Sequence, residues 1–402
     1  MTRPYDIIIW GASGFTGRLA LDYLYAQHGI DNVKWAVAGR NENKLRQVLA
    51  GRDVPILLAD ANDPESLSQL VKNTRVMLTT VGPYARYGSL LVAACAEYGT
   101  HYCDITGEAP WMREMIDLHQ ETARASGAKI VHSCGFDSIP SDLGVYYLQQ
   151  QMLARHGTPA AHIKLRTGRM RGGISGGTLD SILSMIEKAT TDRRVLAVAG
   201  NPYALNDELR GQDGRDRMTA FWDVDFNAWV GPFLMASVNT RVVRRSNELL
   251  GGLYGCDFRY EEGSMTGRGP VGFAAANGLS LGLGAFAGLA SMRFTRGLLQ
   301  RVLPQPGEGP DEESRETGFF EMELLGFHPE DESKNLRVRV RGDRDPGYGS
   351  TSKMIAQCAL ALAQDELPGS GGFWTPASAL GEALLRRLPE SAGVTFEVQE
   401  AS

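Results

Sequence analysis

The sequence predicts an α/β protein: an N-terminal doubly wound parallel sheet, followed by a second mixed α/β domain with a largely antiparallel sheet. Three observations carry the prediction. Short apolar runs alternate with helix-period segments throughout residues 1–135. A glycine-rich heptapeptide joins the first run to the first helix. From residue 161 onward the alternation gives way to longer strand patterns and paired glycines.

Taken in order, Tyr5–Trp10 (YDIIIW) is an apolar run bounded by glycine, as a parallel strand buried on both faces requires. The glycine segment Gly11–Gly17 follows, then a helix over Arg18–Tyr25. Next come strand Trp35–Ala38, helix Asn43–Leu49, strand Ile56–Leu58, helix Pro64–Val71 and strand Val76–Thr80. Helix Ser89–Tyr98, strand His101–Asp104, helix Pro110–Ser126 and strand Lys129–His132 complete six strands with their crossovers. The chain then reads as three parts: 1–135 as the parallel-sheet domain, 136–350 as a second domain for substrate and subunit contacts, and 351–402 as a C-terminal helical segment packing back on the first.

Composition excludes several classes. With 22% charged and 43% hydrophobic residues over 402 positions, the chain has the apolar content to fold. A net charge of −6 without any basic run speaks against nucleic-acid binding. The five cysteines, at 95, 103, 134, 256 and 358, form no CxxC or Cys/His pattern. They predict a reduced, cytoplasmic compartment and no metal site. Met1–Asp6 runs into the first strand without an apolar signal region.

The segment GASGFTG has the spacing GxxGxxG. Gly11 permits the sharp strand-to-helix turn, Gly14 lets backbone N–H groups approach a pyrophosphate, and Gly17 lets the helix sit against the sheet. Ser13, Phe15 and Thr16 complete the predicted cradle. The second strand ends in AGR, so Arg40 stands where an NAD-selective site carries an acid. Its guanidinium, with Lys44 as a second cation, suits a 2′-phosphate and predicts NADP(H); the alternative is a surface arginine at a helix start. Asp60 closes the third strand region, either accepting from the adenine amino group or capping the following helix.

Loops at the carboxyl ends of parallel strands line the ligand crevice. In TTVGPYARYG (Thr79–Gly88), Gly82-Pro83 brings the backbone close to the cofactor, and Tyr84 and Tyr87 project toward the nicotinamide side, as proton donors or as packing anchors. YCDITGE (Tyr102–Glu108) and GFDSIPSD (Gly135–Asp142) open on the same face. Asp104 and Glu108 either brace their loop or join the site, and Asp137–Asp142 either serve the reaction or begin a helix. Cys103, Cys134 and His132 read as core residues.

These motifs, GASGFTG, AGR, TTVGPYARYG, YCDITGE and CGFDSIPSDLG (Cys134–Gly144), resemble the saccharopine dehydrogenase-like oxidoreductases, and the trans-acting enoyl reductase branch in particular. The likeness is dense over residues 5–150 and continues through GGISGGT (Gly172–Thr178) and DPGYGSTSKM (Asp345–Met354). It implies an NADP-binding Rossmann domain, with the Gly11–Gly17 loop and Arg40 on the cofactor. Val81, Gly82, Pro83 and Tyr84 would lie along the nicotinamide ribose, and Asp137 and Ser138 would face the ring or substrate. It also implies a homodimer. Tyr84, Asp137 and Ser138 are thus the candidate catalytic residues.

Beyond the motifs, Ala161–Arg171, Phe319–His328 and Asn335–Arg341 read as strands, and Ser181–Thr190 and Ser352–Gln364 as helices. Phe221, Trp222, Phe226, Trp229 and Phe233 either line an acyl channel or pack a core. Gly269–Met292 is an uncharged stretch flanked by Arg268 and Arg293, with GxxxG pairs at Gly278–Gly282 and Gly284–Gly288. It reads as a buried or dimer-interface helix, as a membrane-surface segment, or as a span. Gln305–Ser314 reads as a solvent loop.

The functional expectation is NADPH-dependent hydride transfer to an acyl or polyketide-derived lipid, small or carrier-bound. Reduction of an enoyl double bond is what the resemblance adds. The alternatives are imine reduction of the saccharopine type and a non-catalytic NADP-binding lipid or membrane adaptor.

Overall fold

A computed structural model describes residues 3–30, 32–172, 176–302 and 309–399. The strands that the alternation predicts are β1 (Tyr5–Trp10), β2 (Trp35–Gly39), β3 (Ile56–Leu58), β4 (Thr74–Thr79), β5 (His101–Cys103) and β6 (Lys129–Val131), all paired in parallel. β1 lies between β4 and β2, and Ile7, Ile8 and Ile9 are wholly buried on its two faces, which is why it reads as an unbroken apolar run.

The second sheet holds β7 (His162–Arg171), β8 (Phe221–Asp223), β9 (Ala228–Gly231), β10 (Arg259–Gly267), β11 (Phe319–Phe327) and β12 (Leu336–Gly342). Only β7 and β10 run parallel; every other pair is antiparallel. Buried and solvent-facing residues alternate over Phe319–Leu324 of β11 and along β12. Phe320, Met322, Leu324, Val338 and Val340 are buried, while Glu321 and Glu323 pair across the solvent face with Arg341 and Arg339.

The C-terminal part packs on the first sheet and is not only helical. β13 (Gly372–Trp374) extends the first sheet beside β6, giving the order β13-β6-β5-β4-β1-β2-β3. β14 (Val394–Gln399) extends the second, giving β14-β12-β11-β7-β10-β9-β8. Three residues behind the run Gly369-Ser370-Gly371 carry too little pattern to announce a strand. The boundary at 351 therefore cuts through both sheets.

Two helices bind the sheets together. Ile139–His156 leaves β6 and lies on the second sheet, where a Cβ on Gly144 would stand 3.1 Å from Val340 and 3.2 Å from Leu324. Thr351–Gln364 packs on the first sheet and on the helix Phe15–His28. One hydrophobic core runs through both, with Ile7, Leu143, Phe320 and Leu360 all fully buried in it.

The uncharged stretch forms a helix, Gly269–Ser291, long and apolar enough to cross a bilayer by length and composition. It is not a core helix: only Gly272, Ala276 and Ala290 are buried, and no atom lies within 4 Å of the Cβ positions of Gly278, Gly282, Gly284 or Gly288. The close helix contact that the GxxxG pairs permit is not made among the described residues. The proposed loop at 305–314 and the GGISGGT motif fall partly outside the described residues.

Candidate active site

At the end of β1 the chain turns through Gly11, whose φ of +94° is open to glycine and strained for other residues. A Cβ on Gly17 would lie 2.2 Å from the Gly11 carbonyl oxygen, so only glycine lets the helix Phe15–His28 start directly against the turn. That helix has Gly14 at its N-cap, no side-chain cap and no acid in its first turn. Its first N–H groups are therefore left for an anion, and the helix dipole favours one there. Gly11, Ser13, Gly14, Phe15 and Thr16 line a cleft of about 640 Å³ that runs from this loop toward the second sheet. Gly17 acts behind them, in packing.

Arg40 is exposed just past the end of β2, and Lys44 lines the cleft. Neither side chain meets a partner among the described residues, so two cations stand free at the corner where a ribose 2′-phosphate would lie. Asn41 caps the local helix by accepting from the Lys44 N–H (3.0 Å), leaving both charges uncommitted. Asp60 is placed differently. Its carboxylate accepts from the Asn62 N–H (2.8 Å) and side-chain amide (3.3 Å), and Asp63 caps the next helix. Asp60 is a turn brace, outside the cleft lining. The residues present thus fit NADP(H): a free helix terminus for the pyrophosphate and free cations for the 2′-phosphate.

After β4, Val81, Gly82, Pro83 and Tyr84 line the cleft, with a cis peptide between Gly82 and Pro83. The Glu108 carboxylate fixes this turn, accepting from the N–H groups of Tyr84 (2.8 Å) and Ala85 (3.0 Å) and from the Ser181 hydroxyl (3.1 Å). Burial raises the Glu108 carboxyl above the usual range, and these donors pull it back. Asp104 likewise braces, receiving the Tyr102 hydroxyl (2.9 Å) and the Thr106 and Ser133 N–H groups (both 3.0 Å), with His132 Nδ1 at 2.7 Å. The Tyr84 hydroxyl is also engaged. It donates to the Thr79 carbonyl (3.2 Å) and accepts from the Ile105 N–H (3.3 Å). Burial foremost holds its acidity well below that of an ordinary phenol. Tyr84 therefore shapes the wall and is poorly placed to give up a proton.

The loop after β6 separates its two candidates. Asp137 lines the cleft, and no hydrogen-bond or ionic partner meets its carboxyl among the described residues. Burial alone pushes it up to about 6. It caps nothing, so the reading of Asp137 as a helix-start residue is set aside. Ser138 is fully buried outside the lining and donates to Asn239 Oδ1 (3.1 Å), whose amide continues to Ser141 and Glu262. It belongs to a buried polar network and does not face the cleft.

The far end of the cleft comes from segments the motifs did not assign: Met170 at the end of β7, Ile182 and Met185 on the helix Gly176–Thr191, and Phe233, Leu234, Met235 and Val238 after β9. Apolar residues four apart, such as Leu234 and Val238, are common in every core, so apart from Phe233, which stood in the aromatic run, nothing marked these. DPGYGSTSKM does reach the site. Buried Asp345 accepts from the N–H groups of Gly347, Tyr348 and Gly349, and the turn it fixes places Pro346, Gly347, Tyr348 and Thr351 in the wall. Of the five clustered aromatics only Phe233 lines the cleft; Phe221 and Phe226 flank the Arg166 guanidinium, and Trp229 packs edge-on to Phe273.

Comparisons with known proteins agree with this geometry. Residues 7–131 match the family model described as the saccharopine dehydrogenase NADP binding domain. Trans-acting enoyl reductases of Mycobacterium tuberculosis and Mycobacterium leprae are 37% and 36% identical, each alignment spanning 98% of this chain and 97% of the relative. Apo saccharopine dehydrogenase (L-Glu forming) from Saccharomyces cerevisiae superposes with a TM-score of 0.55 at 11% identity, over 99% of this chain and 100% of that one. Homospermidine synthase from Legionella pneumophila, solved with NAD, gives 0.56 at 10% identity over 99% and 92%. At those identities the likeness is one of fold. The chain belongs to the saccharopine dehydrogenase-like family, alongside the trans-acting enoyl reductases, and is an NADP-dependent oxidoreductase.

Proposed function

We propose that the cleft reduces an activated carbon–carbon double bond of an acyl or polyketide-derived lipid, free or carrier-bound, with NADPH. The observation that carries this reading is the wall beyond the glycine loop. It is apolar over Met170, Ile182, Met185, Phe233, Leu234 and Val238, and the whole lining holds three carboxyl groups (Glu108, Asp137, Asp180) against one ammonium, Lys44. An amino-acid substrate with several carboxylates would meet repulsion there, which disfavours imine reduction of the saccharopine type. The mycobacterial relatives, named enoyl reductases, support the same reading.

NADPH, when bound, supplies the hydride that the β-carbon of an enoyl group accepts. The loop around Gly82 and Pro83, held by Glu108, sets the height of the cleft wall against which the ring and substrate are pressed together. The apolar wall excludes water and orients the acyl chain. Charge then develops on the α-carbon and carbonyl oxygen. Asp137 Oδ, the unpartnered acid in the lining, carries the proton that the α-carbon takes up.

Following NADPH oxidation with trans-2-enoyl thioesters, and with 2-oxo acids plus amines, tests the proposal. Turnover of the enoyl thioesters, rising with chain length, is the expected outcome. Turnover confined to the oxo acid and amine pairs would replace it with imine reduction.

A further inference from the structure

A surface helix ordinarily turns its polar residues outward. The Gly269–Ser291 helix turns large apolar residues outward instead. Its exposed positions include Val271 (80% exposed), Leu281 (75%), Leu279 and Leu289, while Asn277, Ser280 and Ser291 each bond back to the helix's own carbonyls. Those polar side chains are satisfied without water. The inner side of the helix is tied to the body, with a Cβ on Gly231 falling 3.1 Å from the Ala276 carbonyl oxygen and Trp229 edge-on to Phe273 at 4.8 Å. The helix therefore lies along the protein. The next helix, Arg293–Val302, adds Phe294 (87% exposed) and Leu298 between exposed Arg293 and Arg301.

Charge decides what covers this face. From Gly263 to Gly307 the sequence has four arginines, at 268, 293, 296 and 301, and no Asp, Glu or Lys, in a chain whose net charge is −6. Arg296 is tied to Glu187 (2.8 Å); Arg293 and Arg301 have no partner among the described residues. In a two-fold dimer the same patch meets itself, which would set unpaired arginines against arginines. An apolar surface rimmed by unpaired cations instead matches acyl chains beneath anionic headgroups.

We propose that the Gly269–Ser291 and Arg293–Val302 helices seat in the surface of an anionic lipid bilayer. The helix Gly176–Thr191, which packs against the Gly269–Ser291 helix, supplies Ile182 and Met185 to the cleft, so docking holds one wall of the site near the lipid. The proposal stands on exposure and charge and does not depend on which bond the cleft reduces.

Vesicle flotation of the full chain tests it, using phosphatidylcholine vesicles and vesicles mixed with phosphatidylglycerol, at low and high salt. Binding to the mixed vesicles, weakened by salt, is expected. Arg293→Glu with Arg301→Glu should weaken it by well over tenfold, each neutralised arginine alone accounting for about fivefold. Leu281→Asp and Phe294→Asp should abolish it with thermal midpoints unchanged, since both sites are exposed. No flotation with either vesicle, flotation indifferent to all these variants, or a self-association in sedimentation velocity that Leu281→Asp abolishes while vesicles stay unbound, would each overturn the proposal.

Discussion

At the cofactor end of the cleft a single atom decides the residue: a Cβ on Gly11 would lie 2.6 Å from the Val81 side chain, and one on Gly17 would lie 2.2 Å from a backbone oxygen. At the substrate end, Met170, Met185 and Phe233 fill a wall that many apolar residues would fill. The first end is specified by backbone geometry, which tolerates no substitution. The second is specified by volume and polarity, which tolerate many. A fold with this division can keep one cofactor while its substrate changes.

The sharpest way to break the comparison is Gly17→Ala. Displacing the helix from the turn should weaken NADPH binding by roughly a hundredfold, as misplacements of about 1 Å do, with secondary structure retained by circular dichroism. Retained affinity would mean that the cradle does not depend on this contact.

Asp137→Asn comes next. Loss of the proton donor should lower kcat by roughly a hundredfold with NADPH affinity unchanged. Activity of the parent should fall as pH rises through about 6, and the variant should lose that limb. The variant's stability should move opposite to its activity. The folded-state carboxyl sits above its ordinary 3.8, so its contribution is present below about pH 4 and is lost as pH rises through about 6. Asp137→Asn should therefore raise Tm near neutrality, which a hydrogen-bonded structural residue would not do.

Arg40→Ala is the smallest expected effect and the most selective. NADPH should weaken by about tenfold to a hundredfold, since a charge-assisted contact contributes about 1.5–3 kcal/mol, while NADH is unaffected. Equal losses for both would remove the 2′-phosphate assignment.

These differences also explain what could be read from residue order. The six parallel strands and the glycine loop were legible because period and glycine spacing are local. The positions of Arg40 past β2 and of Asp137 at the cleft were legible because strand ends in a parallel sheet open on one face. The proposed roles of Ser138 and Asp60 depended on partners far away or on turn detail: Asn239 takes up the first, and Asn62 the second. β13 was invisible because three residues carry no period, and the apolar wall because its residues come from positions spread between 170 and 238. The length of Gly269–Ser291 was plain, but not that its apolar side chains stand exposed.

The central claim is that one cleft carries a hydride from NADPH to the β-carbon of an acyl chain while Asp137 handles the proton. Turnover with NADPH deuterated at C4, on each face in turn, followed by mass spectrometry and NMR of the product, tests it directly. The account predicts one deuterium on the β-carbon from one face only, and a solvent-derived hydrogen on the α-carbon. Deuterium on a carbon bonded to nitrogen, or none transferred to any acyl substrate, would contradict it.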